Sequence, residues 1–134
     1  MRMNAVTALW ARSAMVWFLI TVGFGMFMGM TQQFQYAPAH AHMGVLGWLS
    51  SAVFALIYAV SRPWPEAAKL PRWHWAAHNV GVTVMTGALF LEMRDSEAGL
   101  GPAIAVGAVI VVVAAVWMVA MNWARLTPEP VAAE

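Results

Sequence analysis

The chain has 134 residues, 62% of them hydrophobic and only 10% charged, with a formal net charge of +1 and a mean hydropathy of +0.68. That balance excludes an ordinary soluble domain and points to an integral membrane protein. Cysteine is absent, which excludes disulfides, iron–sulfur clusters and thiolate metal sites, and the near-zero charge with no basic stripe excludes a nucleic-acid partner.

Arg2 and Arg12 precede the apolar run Ser13 to Met30, long enough to cross the hydrocarbon as an uncleaved first helix. A signal peptide would show a shorter apolar core and a small-x-small cleavage site. After the polar turn Thr31-Gln32-Gln33-Phe34-Gln35, Pro38 suits the first turn of a second helix that runs to about Val60 and ends at Ser61-Arg62-Pro63-Trp64-Pro65. A proline-rich loop with Arg62, Lys69 and Arg72 leads to a third run from Trp73 to about Met93. The turn Arg94-Asp95-Ser96-Glu97, with Gly99 and Gly101, leads to a fourth run opened by Pro102 and ended near Trp123. The expected fold is all-α, a transmembrane domain over 1–126 with helices at about 13–30, 38–60, 73–93 and 102–123, followed by a short polar tail at 127–134. Arg2, Arg12, Arg62, Lys69, Arg72 and Arg125 then fall on one side and Arg94 alone on the other, which places both termini in the cytoplasm.

The histidines carry the chemistry, because a histidine inside a membrane is a functional candidate by default. His40 and His42 are two residues apart, about 200° on a helix, so they point to nearly opposite sides. One helix cannot close a small metal site with both, but it can offer one ligand to each of two neighbouring sites. Gly44, Gly47 and Trp48 follow, and glycines let a backbone or a flat cofactor approach closely. His40, His42, Gly44, Gly47 and Trp48 form the candidate cofactor-binding set. His74 and His78 are four apart on one helical face, which is metal-ligand spacing. Their place beside Trp73 and Trp75 equally suits an interfacial aromatic belt, and the sequence leaves both readings open. On these helix boundaries the two histidine pairs lie most of a bilayer apart. Met26, Met28 and Met30 do not share a helical face, so no copper site is expected from them; Gly25-x-x-x-Gly29 reads as a helix-packing stripe, and Glu92 as a solvated end charge.

From His40 onward, His-x-His-x-Gly-x-Leu-Gly-Trp, a long apolar run with Tyr58, and then Arg62-Pro63 resemble helix X of the catalytic subunit of haem–copper oxidases, particularly the C-type oxidases and nitric oxide reductases. Trp73-His74-Trp75 and Gly81 are similar to the start of the helix after it, while the first and fourth helices match only in length and position. The resemblance implies that the His-x-His pair binds two haems, one on each side of the helix. It also implies a single four-helix arc of a twelve-helix ring, hence a homotrimer in which His40 of one copy faces His42 of the next across a haem b with two axial histidines. The function implied is electron transfer in a bacterial inner membrane, with quinol or a periplasmic cytochrome as partner beside membrane lipid. The residues depart from the oxidases at Thr83 to Met93, where no histidine is available for a second metal, and in lacking buried acids other than Glu92. Two alternatives remain at this stage: a metal-binding or transport protein using His74 and His78, and a minimal oxygen or nitric oxide reductase.

Overall fold

The computed structural model describes residues 4–65 and 67–126; Arg2 and the tail at 127–134 lie outside them. Among the described residues all regular structure is helical. Helix α1 spans Ala5–Thr31, α2 Phe34–Val60, α3 Leu70–Arg94 and α4 Gly101–Asn122, the last continued by a 3-10 turn, Trp123–Arg125.

The first helix begins at Ala5, not at Ser13, because Asn4 caps it: its side-chain oxygen accepts the Thr7 N–H at 2.8 Å. Arg12 therefore lies within α1, its stem along the helix and its charge exposed. At the other end Gln32 takes a left-handed conformation, φ 56°, and its N–H returns to the Met28 carbonyl, closing the helix sharply before α2. Helix α2 is not uniform. It opens with a 3-10 turn at Phe34–Tyr36, is α-helical over Ala37–His42, a π-helix over Met43–Leu49, and α-helical again over Ser50–Val60.

Helix α1 packs along α2, and α3 along α4, while α1 and α4 occupy outer corners without close backbone approach. The α3–α4 seam is tight because two glycines meet there. A Cβ on Gly107 would fall 2.5 Å from the Met85 backbone nitrogen, and one on Gly81 would fall 3.1 Å from the Gly107 carbonyl oxygen. Gly25-x-x-x-Gly29 does not serve as a packing stripe within the protomer: Gly23 and Gly29 have no neighbour within 4 Å, and Gly25 faces His40. Trp10, fully buried, centres the core with Val6, Ala55, Tyr58 and Met118, and a second cluster joins Trp17, Val82 and Val111.

Three helices, α1, α2 and α4, are long and apolar enough to cross a membrane. Their outer faces present Met15, Leu19 and Met26 on α1 and Val106, Val109 and Val116 on α4, apolar surface that water would not tolerate. Helix α3 is also 25 residues long, about 37 Å, but less apolar. Its polar residues His74, His78 and Thr86 are turned into the bundle and buried. The ends are sorted by charge. Asn4 Nδ2 donates to the Tyr58 carbonyl and the Arg62 N–H to the Arg125 carbonyl, gathering the start of α1 and the ends of α2 and α4 with Arg12, Arg62, Lys69, Arg72 and Arg125. The opposite end holds Glu92, Arg94, Asp95 and Glu97. Glu92 is not simply solvated there, since its carboxylate accepts the Leu100 N–H at 2.6 Å, at the positive end of the α4 dipole.

Gly107→Ala should destabilise the fold by about 1–3 kcal/mol, because the α3 backbone must move to admit a methyl group. Thermal unfolding in detergent measures this against Gly23→Ala, which should be near neutral; equal effects would contradict the glycine seam.

Candidate functional site

The site is built on a change of helical register. The Met43 N–H is shared between the Ala39 and His40 carbonyls, and the Ser50 N–H reaches back five residues to Val45, whose carbonyl also accepts the Ser50 hydroxyl at 2.9 Å. Where a ladder of five-residue steps returns to four-residue steps, one carbonyl is left without a backbone donor. At that crossing the Leu46 carbonyl accepts Nε2–H of His78 at 2.9 Å.

His40 and His42 precede this turn and diverge. His42 is exposed, and its Nδ1–H donates to the Pro38 carbonyl at 2.7 Å, one turn back. A carbonyl can only accept, so this bond assigns a proton to Nδ1, and in the neutral ring the lone pair is then on Nε2. The ring borders a shallow surface depression of about 270 Å³ formed with Ala41, Val45 and Leu46. His40 is half-buried and turned toward α1. Its ring lies over Gly25, where a Cβ would come within 2.9 Å of Cε1, and 6.2 Å from the Phe24 ring; its buried Nδ1 has no hydrogen-bond partner.

The two glycines after the histidines face α1. A Cβ on Gly44 would meet Thr21 at 3.3 Å, and one on Gly47 would lie 2.5 Å from the Trp17 indole, so Trp17 occupies the space above Gly47. Trp17 is held there by its Nε1–H, which donates to Asn79 Oδ1 at 3.1 Å. Trp48 lies 5.0 Å from Phe18, beside an open groove of about 600 Å³ between α1 and α2 that is floored by Ala11, Ala14, Ala52 and Ala55.

His74 and His78 are buried inside the protomer, not spread along a membrane interface. Trp10 lies against both, with ring centroids at 4.9 and 5.3 Å, and Phe54, itself 5.1 Å from the Trp10 ring, packs against both at 5.5 and 5.2 Å. Tyr58 OH and His74 Nδ1 share a hydrogen bond of 3.0 Å. His74 Nε2 and His78 Nδ1 are buried and have no hydrogen-bond partner among the described residues. Each of the two rings thus has one nitrogen engaged within the chain. Among the described residues no three His, Asp or Glu side chains come together as a metal cluster.

Helix α2 starts at Phe34 and α3 at Leu70, earlier than the prolines and tryptophans suggested. His74 stays apart from His40 and His42, beside Phe54 and Tyr58 further along α2, and only His78 comes near the His42 turn. His78 bonds to Leu46, which follows His42 by one turn, about 6 Å of rise. His78 thus supports the floor of the depression that His42 borders. Compared with known protein families, curated proteins and solved structures, the chain matches none. The site therefore rests on its own geometry. Sequence reasoning missed Trp10, Trp17 and Asn79. An asparagine directly after His78 in an apolar helix was a usable signal, whereas the π-turn left none.

His78→Ala should destabilise the protein by about 2–4 kcal/mol, removing a buried hydrogen bond and opening a cavity beside Trp10. In protein free of any bound group, His42→Ala, at the surface, should change stability by less than about 0.5 kcal/mol. Chemical unfolding in detergent separates these roles, and a large loss for His42 with none for His78 would reverse them.

Proposed function

We propose that the chain is a bacterial inner-membrane haem protein that carries electrons, a homotrimer of four-helix protomers with both termini cytoplasmic and one haem b in each cleft between copies. In this reading α3 crosses the membrane with the other three, its polar residues sheltered by α1, α2 and α4. The reading rests on the resemblance of the His40 to Pro63 stretch to the haem–copper oxidases and on one observation above all. His42 stands at the surface with Nδ1 tied to the Pro38 carbonyl. That is the condition of an axial imidazole, since a hydrogen bond at one nitrogen fixes the tautomer and orients the other toward a metal.

The second ligand comes from the next copy. His40 is the candidate, because its ring makes no hydrogen bond among the described residues, although an unpartnered buried nitrogen is found on His74 and His78 as well. His40 points away from His42, so a single protomer completes no site. Two axial histidines suffice for haem iron, whereas a bare metal would need further ligands that no cluster within the described residues supplies. Haem held by two imidazoles supplies one-electron exchange without an open position for a gas. The protein's own part is to fix the two rings and to exclude water with the apolar surface around them. Gly44 and Gly47 serve α1 packing and are not needed as haem contacts, and Trp48 belongs to the α1–α2 groove.

Mass measurement in mild detergent should give a coloured trimer, and His40→Ala and His42→Ala should each lose haem or its low-spin spectrum. Carbon monoxide should bind the reduced protein poorly. A haem-loaded monomer, or rapid and complete carbonyl formation, would overturn the arrangement, the latter in favour of a reductase.

A further inference from the structure

The end of the bundle that gathers the cations carries two adjoining depressions beside α1 and α3. One, about 430 Å³, is bordered by Lys69, Arg72 and Trp73, and the other, about 320 Å³, by Arg12, Val16 and Trp17; Leu9 and Trp75 border both. The Trp75 indole between them is held by its hydrogen bond to Ser13 Oγ at 2.7 Å. Among the described residues no acidic side chain borders either depression.

The cations at this end fall into two groups. Arg125 and Arg62 are committed to the protein: Arg125 donates to the Pro63 and Arg62 carbonyls and lies over the Trp64 ring at 4.1 Å, and Arg62 donates to the Ala124 carbonyl. Lys69, Arg72 and Arg12 make no such side-chain bonds and no ion pair among the described residues, and all three are exposed. The start of α3 adds to the positive field. Lys69 occupies its cap position and no acid stands in its first turn, whereas Glu92 answers the same need at the start of α4.

We propose that these depressions form a binding site for an anionic phospholipid. Its phosphate lies among Lys69, Arg72 and Arg12, and an acyl chain follows Leu9 and Val16 toward the membrane interior. Cations alone would serve any small anion. The apolar wall beneath them, in a chain whose flanking surface is made for lipid, selects an anion that carries a hydrocarbon chain. The proposal does not depend on haem, since its readout is lipid retention by the whole protein.

The test is native mass spectrometry of the protein released from nanodiscs of mixed phosphatidylglycerol and phosphatidylcholine, with and without glycerol 3-phosphate in solution. Wild type should retain phosphatidylglycerol selectively, and glycerol 3-phosphate should not displace it. In Lys69→Gln, Arg72→Gln and the double variant the preference should fall roughly fivefold for each cation removed. Arg94→Gln, at the opposite end, should retain the preference in full. Equal retention of both lipids by wild type, unchanged preference in the double variant, or displacement by glycerol 3-phosphate would each overturn the proposal, the last in favour of a soluble anion.

Discussion

Between Met43 and Leu49 the α2 backbone steps by five residues where an α-helix steps by four, and the placement of the other functional side chains depends on that change. It separates the histidine turn above from the regular helix below, so that His40 and His42 are oriented independently of Phe54 and Tyr58. It also leaves the Leu46 carbonyl for His78, which ties α3 to α2 at the level of the candidate site. A bonded carbonyl deep in an apolar bundle is worth far more than an exposed one, because its alternative is no partner at all. The register change and the buried histidine therefore stabilise each other.

This pairing explains how a helix as polar as α3 can sit in the same bundle as three apolar ones. His74, His78 and Asn79 all find partners on α1 or α2: Tyr58, the Leu46 carbonyl and the Trp17 indole. Each of these side chains thus has one partner inside the bundle, while one buried ring nitrogen of His74, of His78 and of His40 has none among the described residues. His74 and His78 are buried in the core, whereas His42 stands at the surface and His40 is half-buried.

Much of this was legible in the sequence. The apolar runs, the helix-breaking prolines and the charge asymmetry of the loops were enough to expect an all-helical membrane chain, and the two-residue spacing of His40 and His42 was enough to expect divergent side chains. Boundaries were harder. Asn4 begins α1 well before its apolar run because capping is a local hydrogen bond that hydropathy does not register. The π-turn was invisible, since Gly44, Gly47 and Ser50 permit it without demanding it. Gly47 marks a close approach, of a backbone or a flat cofactor by the sequence alone, and within the chain it is Trp17 that approaches; a glycine does not name its neighbour. The bond from His78 to the Leu46 carbonyl, which links α3 to the turn after His42, had no signal in the sequence.

The central claim is that His40 and His42 of one chain serve different clefts. Co-expression of His40→Ala chains with His42→Ala chains tests it most directly. In a mixed trimer, a chain that keeps His42 beside one that keeps His40 rebuilds a complete cleft. Random assembly should restore about one quarter of the wild-type low-spin haem, although neither variant binds it alone. No recovery in mixed trimers of confirmed composition would mean that both ligands of a haem come from one chain, and would contradict the account.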